Sequence, residues 1–192
     1  MNCNMQHSHR YLVPAMTAVL IAALCALVAL NGCSTTPTSA IRQSSAEVPA
    51  ELRVDGPIAA RVHATGFQVY VWQEDGAGGP GWKLKAPDAV LSGDFSGTHS
   101  EGPKWAAADG SWVTGHRIAD HPAEGDAVAW LLLEANGNSD AGLLSTVTFI
   151  QRLNTTGGKA PAKGGAKAGE EVHVPYSADY AFYAKGAARA SK

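Results

Sequence analysis

The stretch Phe67-Gln68-Val69-Tyr70-Val71-Trp72 decides the reading of the fold. All but one of its residues are β-branched or aromatic, and a period of two puts Phe67, Val69 and Val71 on one face with Tyr70 and Trp72 on the other. Both faces can therefore be covered. Glu74-Asp75-Gly76-Ala77-Gly78-Gly79-Pro80-Gly81 cannot continue a strand and must be a loop. Beyond it Trp82-Lys83-Leu84-Lys85 alternates again, so the two segments are expected to form a hairpin with a long connection.

Working outward, Ile58 to Ala64, Ala89-Val90-Leu91, Ser111 to Ala119, Ala127 to Glu134, Ser145 to Arg152, Glu171 to Val174 and Tyr180 to Tyr183 have the same character. Gly, Pro, Asp and Asn separate them. About nine short strands predict an all-β fold, a compact antiparallel β-sandwich or barrel. Ala127 to Leu133 is the most apolar run, with Trp130 and three consecutive leucines, and is expected at the centre of a sheet. A short buried helix would be equally apolar, but Gly125 and Asn136-Gly137 bound the run closely and favour a strand. Trp72, Trp82, Trp105, Trp112 and Trp130 all fall in this region, where packing or sheet-edge cover is their expected use.

The chain has 192 residues and a formal net charge of -2, which argues against a dedicated nucleic-acid binder. Residues 1–32 hold no acid and, among Lys and Arg, only Arg10, followed by an apolar run from Leu12 to Leu30: a secretory leader. The run ends in Leu30-Asn31-Gly32-Cys33, which resembles the lipobox of bacterial lipoproteins. That resemblance implies cleavage before Cys33, a lipid on its sulfur and a membrane anchor. An uncleaved membrane span is the competing reading. Cys3 and Cys25 lie in the leader, so the mature chain would keep Cys33 alone and no internal disulfide. Ser34 after the cysteine is compatible, by resemblance, with delivery to the outer membrane of the cell envelope. Residues 33–49, rich in Ser, Thr, Pro and Ala, read as a flexible tether, 50–184 as the β domain, and 185–192 as a frayed tail.

Within the domain the chain resembles the secreted proteins grouped as the domain of unknown function DUF3455, from about Ile58 to Tyr183. The resemblance is carried by Gly66-Phe67-Gln68-Val69-Tyr70, Trp82 with Ala86-Pro87-Asp88-Ala89-Val90-Leu91, Gly97-Thr98-His99 followed by Gly102-Pro103-Lys104-Trp105, and Asp109-Gly110-Ser111. Further along come Trp130-Leu131-Leu132-Leu133, Thr148-Phe149-Ile150-Gln151-Arg152-Leu153-Asn154-Thr155 with Gly157-Gly158, and Val174-Pro175-Tyr176-Ser177-Ala178-Asp179-Tyr180. The family carries no assigned activity. The resemblance also implies a cysteine bridge in many relatives, at places held here by Trp72 and the Lys/Gly loop; this chain lacks it.

Among polar residues of these blocks, His99, with Trp105 nearby, is a candidate metal ligand, general base or pocket residue, or else a hydrogen-bonded turn residue. Arg152 and Asn154 stand where a strand runs into glycines, a common place for a binding site. Arg152 is suited to clamp a carboxylate, or to pair internally with Asp109 or Asp179. Asp179, between Tyr176 and Tyr180, is a candidate acid with a raised pKa, a strand cap or an Arg152 partner. Asp109-Gly110-Ser111 reads as a turn. No Gly-x-Ser-x-Gly elbow, zinc-ligand spacing or phosphate loop occurs, and no cofactor or metal is expected. From Gly157 onward six basic residues face three acids, so the Lys/Gly loop could meet an anionic surface, with a solvated loop as the default.

Two functional classes follow. One is a non-catalytic envelope lipoprotein whose β domain binds a small ligand, glycan or envelope protein. The other is a secreted hydrolytic or metal-assisted enzyme using His99, Arg152 and Asp179, which requires those three to converge on one pocket.

Overall fold

The computed structural model describes residues 48–74, 79–165 and 167–190. The leader, Cys33 and nearly all of the tether lie outside the described residues. Eight antiparallel strands close into a barrel in simple chain order: β2 (Ile58–Gln73), β3 (Gly81–Gly93), β4 (Gly97–Ser100), β5 (Lys104–Ala107), β6 (Trp112–His121), β7 (Trp130–Asn138), β8 (Val147–Gly157) and β9 (Glu171–Ala184). The last closes on the first, with His63 opposite Asp179. Of the two architectures the sequence allowed, the molecule is the barrel.

The expected hairpin is present, Val71 pairing with Lys83 and Trp72 with Trp82. The strands are longer than expected. Ile58 to Ala64 and Phe67 to Trp72 are one strand running through Gly66, and β3 and β9 run through Pro87 and Pro175. A proline lacks the ladder N–H, but the pairing of β3 with β4 covers only Ala89 to Leu91, and that of β9 with β8 stops at Tyr176. At both prolines the strand therefore has only β2 beside it, the edge-like setting in which proline is tolerated. Gly66 has a different reason. A Cβ there would lie 2.2 Å from the Asp88 carbonyl oxygen, so only glycine lets β2 and β3 pass so close.

Alternation divides the buried residues into two sets. Inside the barrel lie Val62, Ala64, Leu91, Trp105, Val113, Leu133, Ile150, Tyr180 and Phe182. Outside, a short segment covers part of the wall: Leu52, fully buried in a 3-10 turn (Ala50–Leu52), packs with Leu132, Leu153, Ala181 and Tyr183. The leucine run is thus covered on both faces, as expected, with Leu133 inward and Leu132 under Leu52. Gln151 locks the cover by donating to the Leu52 carbonyl (2.6 Å) while accepting from the Tyr183 hydroxyl (3.2 Å). The expected frayed tail is instead paired: β10 (Ala188–Arg189) forms a two-stranded ladder with β1 (Val54–Asp55), beneath which the Ala190 N–H reaches the Arg53 carbonyl.

Trp72 and the Lys/Gly loop, the two places at which the resemblance implies a bridge in relatives, are in contact. Trp72 stands edge-on to Trp82 (5.5 Å between centroids), and a Cβ on Gly164 or Gly165 would collide with its ring. Trp82 Nε1 donates to the Lys163 carbonyl (2.7 Å). Indole packing thus holds the loop against the barrel.

Candidate functional site

One half of the barrel interior is packed solid and the other is open. The difference follows from strand lengths. β3 has 13 residues but its neighbour β4 has 4, so Gly81 to Asp88 overrun the β4–β5 hairpin. The wall is incomplete there, and a cavity of about 470 Å³ opens between Leu84 to Pro87 on one side and Gly102-Pro103 on the other. Eight strands leave room for about one small ligand when side chains do not fill the lumen.

The floor is aromatic. His99 and Trp105 face each other across β4 and β5 and stack with centroids 4.4 Å apart and planes 7° from parallel. Tyr180 meets both rings edge-on, each at 5.4 Å, and Trp105 also meets Phe182 edge-on at 6.1 Å. His99 is only 3% exposed. It is a strand residue rather than the turn residue the sequence allowed, because Gly97 to His99 pair on both sides. Its Nδ1 lies 3.0 Å from the Lys104 carbonyl. A carbonyl only accepts, so Nδ1 carries the proton and Nε2 keeps its lone pair. Burial lowers its pKa to about 4; the Lys104 bond opposes that shift and the Arg152 charge adds to it. The ring is a neutral imidazole at neutral pH.

Arg152 enters the same space from β8 and lines the cavity. Its Nε and one terminal nitrogen donate to the Ala129 carbonyl at 3.1 and 2.8 Å. This is not the expected pairing with Asp109 or Asp179, and among the described residues no carboxylate forms an ion pair with it. Its charge nevertheless reaches far. Burial raises the pKa of Tyr70, Tyr176 and Tyr180, and in each case Arg152 pulls the other way. The Tyr176 and Tyr180 hydroxyls bond each other at 2.7 Å. Two further lining residues carry a buried N–H donor: Gln68 Nε2 has no hydrogen-bond partner among the described residues, and Trp105 Nε1 has only the nearby Tyr180 hydroxyl there.

The other two expected site residues are elsewhere. Asp179 points through the opposite face of β9, where its oxygens accept from His63 Nδ1 (2.7 Å) and Asn154 Nδ2 (2.9 Å). Asn154 sits at a bulge between Leu153 and Thr156 with φ of 49°, a left-handed conformation asparagine tolerates. His99 and Arg152 thus share the lumen, whereas Asp179 and Asn154 decorate the outer wall, and the three groups of the enzymatic reading do not converge. Asp109 is a turn residue as expected, accepting from the Ser111 and Leu143 amides. Sequence reasoning missed Gln68, Tyr180 and Leu131 as cavity residues. Gln68 had a signal: it is the one polar side chain in an otherwise apolar alternating run.

No curated protein and no solved structure matches the chain. The model of one family, described as proteins of unknown function DUF3455, matches residues 92–184, from the end of β3 to the end of β9. Over those residues the chain is similar to the DUF3455 family, in agreement with the resemblance read from the sequence.

Proposed function

We propose that the chain is a cell-envelope lipoprotein, anchored by a lipid on Cys33, whose barrel is a non-catalytic module that holds a small ligand in its open half. The cavity itself carries this reading. It has a rigid aromatic floor, a few polar groups aimed from fixed strands, and one mouth, the features of a preformed small-molecule site. The His99 proton is committed to the Lys104 carbonyl, and the His63–Asp179 pair lies across the wall. With Asp179 outside the lumen, no carboxylate among the described lining residues completes a reactive set with His99 and Arg152.

A neutral, apolar dye such as N-phenyl-1-naphthylamine should brighten on binding with one site per chain. Ala129→Trp, which fills the lumen beside Arg152, should abolish the signal while leaving the circular dichroism spectrum unchanged. Equal brightening of both proteins would contradict a cavity site. The anchor is tested separately by mass spectrometry of the membrane-extracted protein: the expected amino terminus is a diacylglyceryl-modified Cys33, and an intact leader would contradict it.

A further inference from the structure

We infer that the ligand of this cavity is a small aromatic monocarboxylate whose anionic group seats on Arg152. The inference rests on the cavity being a binding site and adds its chemistry. Among the described residues, four cationic side chains line the space, Lys85, Arg117, Arg152 and Lys159, and no carboxylate does. Two of the four are already balanced at the surface: Lys85 by Glu171 at 2.6 Å and Arg117 by Asp120 at 3.5 Å. Lys159 turns its ammonium to the Gly125 carbonyl. Arg152 is the inward cation without an acid, and the Ala129 carbonyl uses one edge of its guanidinium only.

A half-buried guanidinium served by the Ala129 carbonyl and the Tyr180 hydroxyl, both neutral, is left short of charge. One uncompensated charge selects a monoanion over a phosphate dianion. The N–H groups that Ala129 leaves unused, beside the Tyr180 hydroxyl, can serve the oxygens of a carboxylate. Size and floor define the rest of the molecule. A space of about 470 Å³ lies within the range of small-molecule pockets. The rings of Trp105, His99 and Tyr180 favour a flat body that can stack or meet them edge-on. The rim cations would draw such an anion toward the mouth.

The test compares 2-naphthoate, its neutral isostere 2-naphthylmethanol, and octanoate by calorimetry on the wild-type barrel and on Arg152→Met and Arg152→Lys. Naphthoate should bind about 30-fold tighter than the alcohol, the scale of a charge-assisted pair. Arg152→Met should erase that preference while alcohol binding stays within about threefold, and Arg152→Lys should retain part of it. Octanoate should bind more weakly than naphthoate; equal binding overturns the aromatic assignment. Equal wild-type affinity for naphthoate and the alcohol overturns the anion assignment, yet leaves the cavity standing as a site. Should Arg152→Met not fold, that wild-type comparison still decides. Binding of none of the three, together with no dye binding, overturns the cavity reading itself.

Discussion

His99 spends its imidazole on structure, and pH exposes the cost. In the unfolded chain it takes up a proton near the usual pH 6.5, whereas in the barrel burial holds it neutral down to about 4. Between those values the unfolded state binds more protons, so stability is full above pH 6.5 and is lost as the pH falls toward 4. The shift corresponds to about 3 kcal/mol. Urea midpoints measured from pH 7 to 4.5 should fall less steeply for His99→Phe than for the wild type, and parallel curves would contradict this. Arg152 and His99 were legible as candidates because both stand in blocks of mixed polar and aromatic residues. Their common side was not. Asp179 adjoins Tyr180 in sequence but, one residue along a strand, it faces the opposite way, and the bulge at Asn154 shifts the register of its neighbours.

At the level of elements, the strand pattern around Phe67 to Trp72 was readable because period-two alternation needs only local sequence. Strand ends were less so. Gly66, Pro87 and Pro175 look like terminators, yet each sits where pairing is one-sided or the backbones crowd, and only the assembled ladder reveals that. Gly66→Ala should drive its methyl into the Asp88 carbonyl and cost roughly 1–3 kcal/mol by forcing β2 from β3. A thermal midpoint unchanged from wild type would show the approach to be looser. The Lys/Gly loop has a similar history. Composition marks it as solvated, but Trp72 and Trp82 hold it down. Trp72→Ala should therefore loosen the segment that carries the already exposed Lys163 and Lys167, and brief trypsin treatment should nick the variant there well before the wild type. Equal rates would mean that the indole does not hold the loop.

The described domain is a barrel built at one end as a core and at the other as a cup. The same residue types serve both ends. What separates them is that β4 and β5 are too short to match β3, so the lumen beyond Trp105 stays open. The all-β class was legible from turn residues and alternation. The cup was not, because it depends on relative strand lengths and on which strand closes the ring. The tryptophans supply natural reporters of this asymmetry: Trp105 lies in the floor at 1% exposure, while Trp72, Trp82, Trp112 and Trp130 are only partly buried. The most direct test is a nitrogen-15 correlation spectrum of the five indole N–H groups during titration with 2-naphthoate. The Trp105 resonance should move saturably while the other four stay in place. Shifts confined to those four, or no shift at all, would contradict a ligand site inside the barrel.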